Sequence, residues 1–66
     1  MSRNWLKTIR RERSLRAREV AKEIGISVSY YSQIETGKRN CPVHTAKKIA
    51  AALGFDWQRF YEEVTL

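Results

Sequence analysis

Apolar residues recur along this chain at the three- and four-residue spacing of helices, and no stretch shows the strict alternation of a half-buried strand. Trp5, Leu6 and Ile9 predict a first helix over Asn4 to Arg13, and Val20, Ala21 and Ile24 a second over Arg18 to Ile24. In a third helix, Val28 to Glu35, residues Tyr31 and Ile34 face inward together with Ile26 just before it. That leaves Val28, Ser29, Ser32 and Gln33 facing out. Pro42 suits the first turn of a fourth helix with Val43, Ala46, Ile49, Ala50 and Leu53 as its apolar positions. Asp56 can cap a last helix, in which Trp57, Phe60, Tyr61 and Val64 keep the helical period to the end of the sequence.

The residues between these stripes sharpen the picture. Gly25 follows the second helix, where a left-handed residue is needed to change direction, and Ser27 offers a hydroxyl to an unpaired amide near Tyr30. Ala21 falls where the two helices would cross, and a larger side chain there would hold them apart. Residues 17–36 therefore predict two short helices joined at a tight turn, the helix-turn-helix arrangement. Gly37 and Gly54 are expected to close the third and fourth helices.

Sixty-six residues allow one small domain, 1–66, near the size below which a core without disulfides or metals cannot hold a fold. Thirteen basic residues against seven acidic give a net charge of +6 and a pI near 10, which favours a polyanionic partner. Arg3, Lys7, Arg10, Arg11, Arg13, Arg16, Arg18 and Lys22 crowd the first third of the chain against Glu12 and Glu19. From Asp56 onward Arg59 meets Asp56, Glu62 and Glu63, so that end is unsuited to phosphates and free for another task. No apolar run is long enough to span a membrane, and Met1 to Arg13 lacks a secretory centre, so a cytoplasmic location is expected.

The run LRAREVAKEIGIS, the run SYYSQIETGKRN, AKKIAAALGF and Arg10 stand in an order and spacing that resemble the Cro/C1-type (XRE) helix-turn-helix family from Leu6 to Phe60 without a gap. The resemblance implies an all-α, compact five-helix bundle of the lambda-repressor-like type, binding double-stranded DNA as a transcriptional regulator. It implies base contacts from Val28, Ser29, Ser32 and Gln33, with Gln33 able to pair bidentately with adenine. Arg16, Arg18, Tyr30, Lys38, Arg39 and Asn40 are the implied backbone contacts, and Arg10 with Glu35 an internal salt bridge. The chain departs from the family at Arg16 and Ala17, where a Ser-Gln pair is common, so a side-chain helix cap is missing there. It departs again at Cys41, where proline is common and Pro42 follows one place later.

The terminal stripe of Trp57, Tyr61, Val64 and Leu66 can cover the core or form a two-fold contact; a homodimer on DNA is expected because one small module rarely gives enough discrimination alone. Cys41 and His44 have C-x-x-H spacing, but two ligands do not make a structural zinc site, and no metal or other cofactor is expected. The single histidine has no convincing nucleophile and orienting acid, and no glycine-rich phosphate loop exists, so an enzyme is not expected. The second reading is a small protein-binding module, antitoxin-like or an adaptor, that uses the aromatic terminal helix. An RNA-binding role ranks third, because the aromatic stacking surface of single-strand binders is missing.

Overall fold

The computed structural model describes residues 2–62. Within them the chain forms five α-helices and no strand: α1 (Asn4–Glu12), α2 (Ala17–Ile24), α3 (Val28–Glu35), α4 (Val43–Leu53) and α5 (Arg59–Glu62). Helix α2 packs on α3 and α4, and α1 packs on α3. Each helix is too short to be stable in isolation, so the apolar stripes must meet for any of them to form.

They meet in one core. Leu6, Val20, Ala21, Tyr31, Ile34, Ala46, Ile49, Leu53 and Phe60 are almost wholly removed from solvent and form one contact cluster. Burying an aliphatic side chain such as Leu6, Ile34 or Leu53 contributes about 2 kcal/mol, a large share of the stability of a chain this small. Trp5, Phe55 and Phe60 seal one end with edge-on ring contacts, 5.4 Å from Trp5 to Phe55 and 5.1 Å from Trp5 to Phe60.

Gly25 and Gly37 carry the sharp changes of direction on either side of α3. At Gly25, φ is +78° and the space a Cβ would enter is open, so the requirement is conformational and not steric. The Ile26 amide donates to the Ala21 carbonyl at 3.0 Å and closes α2 beyond it. At Gly37, φ is +79°; its amide donates to the Ile34 carbonyl and the Lys38 amide to the Gln33 carbonyl, the paired bonds of a Schellman ending.

Several expectations shift. The second helix starts one residue earlier than its apolar pattern suggested, at Ala17. No side chain of Arg16 caps it, since a guanidinium cannot accept a hydrogen bond, but the Glu19 carboxylate reaches back to accept the Arg16 amide at 2.7 Å. The fourth helix begins after Pro42, whose ψ of 153° is extended, and not with it.

Val43 is 46% exposed, against the expectation that it faces the core. The buried positions of α4 are Thr45, Ala46, Ile49, Ala50 and Leu53, and at helical periodicity Val43 lies about 90° from the centre of that stripe. The last helix is also shorter than expected on its amino side. Trp57 and Gln58 form a turn, with the Gln58 amide donating to Asp56 Oδ1 at 3.0 Å, and the helix proper begins at Arg59. Its expected continuation through Val64 to Leu66 lies outside the described residues.

Candidate nucleic-acid interface

The outer face of α3 is built by what its inner face must do. Tyr31, Ile34 and Glu35 are buried, and helical geometry then turns Val28, Ser29 and Ser32 outward, all exposed, with Val28 at 48%. Ser27 fixes where the helix starts, its hydroxyl accepting the Tyr30 amide at 3.0 Å. Gln33 is half-buried at the edge of this face.

The loop after α3 adds cations. Lys38, Arg39 and Asn40 are all exposed, directly beyond the Schellman turn. Arg39 does not simply extend into solvent: its Nε donates to Gln33 Oε1, and its guanidinium lies 5.6 Å from the centre of the Tyr30 ring. Gln33, Tyr30 and Arg39, which the sequence offers as separate contacts, thus form one cluster. Arg16, at the N-cap, and Arg18, in the first turn of α2, are both exposed.

The orientation of α3 is held from α1. Arg10 Nε donates to Glu35 Oε2 at 2.6 Å, its Nη2 to Glu35 Oε1 at 3.2 Å, and its Nη1 to the Leu15 carbonyl at 2.8 Å. The two side chains are 11% and 5% exposed, so this bidentate pair is largely desolvated. The bond to Glu35 holds the Arg10 guanidinium in its charged form beyond its already high pKa. Tyr31 lies beside the pair with a buried hydroxyl that has no well-formed hydrogen bond. Burial first, and the Glu35 carboxylate second, push that phenol well above its usual range.

Arg3 is the residue whose role the sequence hid. Counted by charge it belongs to the basic amino-terminal third, yet it is only 8% exposed. Its amide donates to the Glu35 carbonyl at 2.8 Å, and its Nη1 to the carbonyls of Ile34 at 2.6 Å and Arg39 at 3.1 Å. The same guanidinium lies 5.6 Å from the Phe60 ring centre. Arg3 therefore neutralises the carbonyl end of α3 and ties the basic loop to α5; it is not available to phosphates. A guanidinium in this place was signalled only by its position two residues before Trp5, which no sequence rule reads.

Near the carboxyl end of the described residues Trp57 and Tyr61 come together edge-on with ring centres 6.0 Å apart. Tyr61 donates its hydroxyl to the Cys41 carbonyl at 2.8 Å, and Lys47 Nζ lies 5.1 Å from the Trp57 ring centre. Tyr61 remains 38% exposed and Val43 is exposed on α4, while Val64 and Leu66 lie outside the described residues. Cys41 is buried and His44 is exposed. Among the described residues no helix is long and apolar enough to cross a membrane.

Known proteins match this arrangement along nearly its whole length. A family model described as helix-turn-helix matches residues 6–60. An uncharacterized HTH-type transcriptional regulator, YqaF of Bacillus subtilis strain 168, is 47% identical over 64 residues, 97% of this chain and 84% of that protein. The control protein C.MunI of Mycoplasma sp. is 36% identical over 62 residues, 92% of this chain and 84% of that protein. No solved structure matches the chain. With the helix-turn-helix at its centre and these relatives along its length, the chain belongs to the XRE-type helix-turn-helix family of DNA-binding transcriptional regulators.

Proposed function

We propose that this protein is a sequence-specific regulator of transcription that binds double-stranded DNA as a homodimer, reads the major groove with α3 and represses by occupying its site. The observation that carries the reading is the division of α3. Its buried side is locked by Arg10 and Glu35, and its opposite side offers Val28, Ser29, Ser32 and Gln33 beside an exposed cationic loop. The major groove admits one α-helix and shows each base pair a distinct set of donors, acceptors and methyl groups, which short polar side chains and a valine can read. Ser29 and Ser32 can donate or accept one hydrogen bond each, and Val28 can pack on a thymine methyl.

Lys38, Arg39, Asn40, Arg16, Arg18 and Tyr30 take the sugar-phosphate backbone in this reading, fixing register without reading sequence. The aromatic end, half-buried Trp57 and exposed Tyr61 with Val64 and Leu66 following in sequence, takes the second copy, which sets two α3 helices one DNA turn apart. The two relatives, one an HTH-type transcriptional regulator and the other a control protein, support a regulatory role.

The test compares two variants across a panel of duplexes. Gln33→Ala is expected to relax preference at one base pair, at a cost of about 1 to 3 kcal/mol there. Lys38→Ala is expected to weaken all duplexes alike and to flatten the salt dependence by about one phosphate contact. Equal loss on every sequence from Gln33→Ala overturns base reading by α3.

A further inference from the structure

The loop from Lys38 to Pro42 belongs to no helix, yet hydrogen bonds at three points along it fix its path. At its start the Gln33 carbonyl accepts from the Lys38 amide at 2.9 Å and from the Arg39 amide at 3.3 Å. In the middle the Arg39 carbonyl accepts from Arg3 Nη1 at 3.1 Å. Near its far end the Cys41 carbonyl accepts from the Tyr61 hydroxyl of α5 at 2.8 Å. The first bond of α4 runs from the Ala46 amide to the Pro42 carbonyl, so the Cys41 carbonyl lies outside that helical ladder. The buried Cys41 side chain fixes a point on the chain, and the bond from Tyr61 fixes how the backbone turns about that point. Asn40, exposed and immediately before it, takes its direction from that turn. Tyr61 is itself steadied: its ring meets Trp57 edge-on, and Lys47 of α4 lies over the Trp57 ring.

We infer that Tyr61 is a positioning residue for DNA binding: its hydroxyl, by holding the Cys41 carbonyl, sets the Asn40 side chain where it meets the sugar-phosphate backbone. In this role Tyr61 touches no nucleic acid, and the role is separate from any contact of its exposed ring with a second copy. Without the hydroxyl the Cys41 carbonyl turns to water and Asn40 gains freedom in the unbound protein. Binding must then remove that freedom, which the tether otherwise removes on folding. A phosphate contact carries no sequence information, so the resulting loss is the same for every duplex. The inference rests on the proposed placement of Asn40 at the DNA backbone, and its test separates the two.

The experiment measures binding of the full chain, its Tyr61→Phe and Asn40→Ala variants and the double variant to duplexes of several sequences, at one salt concentration and below the melting temperature of every variant. Tyr61→Phe keeps the ring that packs on Trp57 and removes only the hydroxyl. Each single variant is expected to bind every duplex roughly three- to tenfold more weakly. The double variant is expected to bind no more weakly than Asn40→Ala alone, because Tyr61 acts through Asn40. A loss from Tyr61→Phe that persists in full on top of Asn40→Ala arises from the fold or from contact between copies, and overturns the positioning role. So does a Tyr61→Phe variant that binds like the unaltered chain while Asn40→Ala binds more weakly, a result that leaves the phosphate contact of Asn40 standing. An Asn40→Ala variant that binds like the unaltered chain removes Asn40 from the phosphates, and the inference with it.

Discussion

Arg10 and Glu35 meet in two parallel hydrogen bonds, 2.6 and 3.2 Å, that cross from the last turn of α1 to the last residue of α3. Glu35 is buried at the end of the helix whose outer face is proposed to read DNA, so the pair sets the angle of that helix against the rest of the fold. Removing one partner strands a desolvated charge. Arg10→Ala and Glu35→Ala are each expected to lose about 3 kcal/mol in urea unfolding, and the double variant less than the sum of the two. Additive losses would mean that the two charges act separately.

Arg3 is expected to matter for stability and not for salt-dependent binding. It satisfies two carbonyls and packs on Phe60, so Arg3→Ala should cost about 1.5 to 3 kcal/mol, as for hydrogen bonds to a charged group. Unfolding by denaturant gives that value. The slope of binding against salt should stay unchanged, because the guanidinium is already engaged within the protein. A flatter slope would place Arg3 among the phosphate contacts.

Tyr31 ties stability to alkaline pH. Its phenol is raised in the folded chain, while the unfolded phenol releases its proton near pH 10. Above that pH the unfolded state binds fewer protons than the folded state, so stability falls as pH rises. The contribution of Tyr31 is fully present below about pH 10 and is lost above it by up to about 1.4 kcal/mol per pH unit. Tyr31→Phe should remove this part of the fall and cost under about 1 kcal/mol at neutral pH, since the hydroxyl has no well-formed hydrogen bond to lose. Denaturant unfolding of both proteins from pH 7 to 11 measures the difference; parallel curves would contradict it.

The bundle was legible where local chemistry and packing ask for the same residue. Ala21 is buried at the contact of α2 with its neighbours, Gly25 takes the left-handed conformation, Ser27 caps α3, and Asp56 caps the turn into α5. Periodicity overreached at Val43, because a stripe read from sequence has no edge, whereas the core ends where no helix stands opposite. The left-handed Ser14, φ +58°, was equally hidden: it ends α1 in a Schellman turn, the Leu15 amide donating to the Arg10 carbonyl and the Ser14 amide to the Arg11 carbonyl, at a position where glycine is usual. The clearest gap concerns arginines. Arg3, Arg10 and Arg39 are alike in composition, yet one neutralises a helix end, one pairs across the core and one holds a neighbouring amide. Such roles depend on which carbonyls and carboxylates the fold brings within reach, and a list of charges does not contain that.

The most direct test of sequence reading by a dimer is to determine the enriched consensus when the unaltered protein selects from random duplexes at near-physiological salt. The predicted result is an inverted repeat whose half-site centres lie about one helical turn apart, the spacing two copies of α3 would impose. A pool without any enriched sequence, from a protein that still retains bulk DNA in a salt-sensitive way, would contradict specific reading and leave only attraction to phosphates.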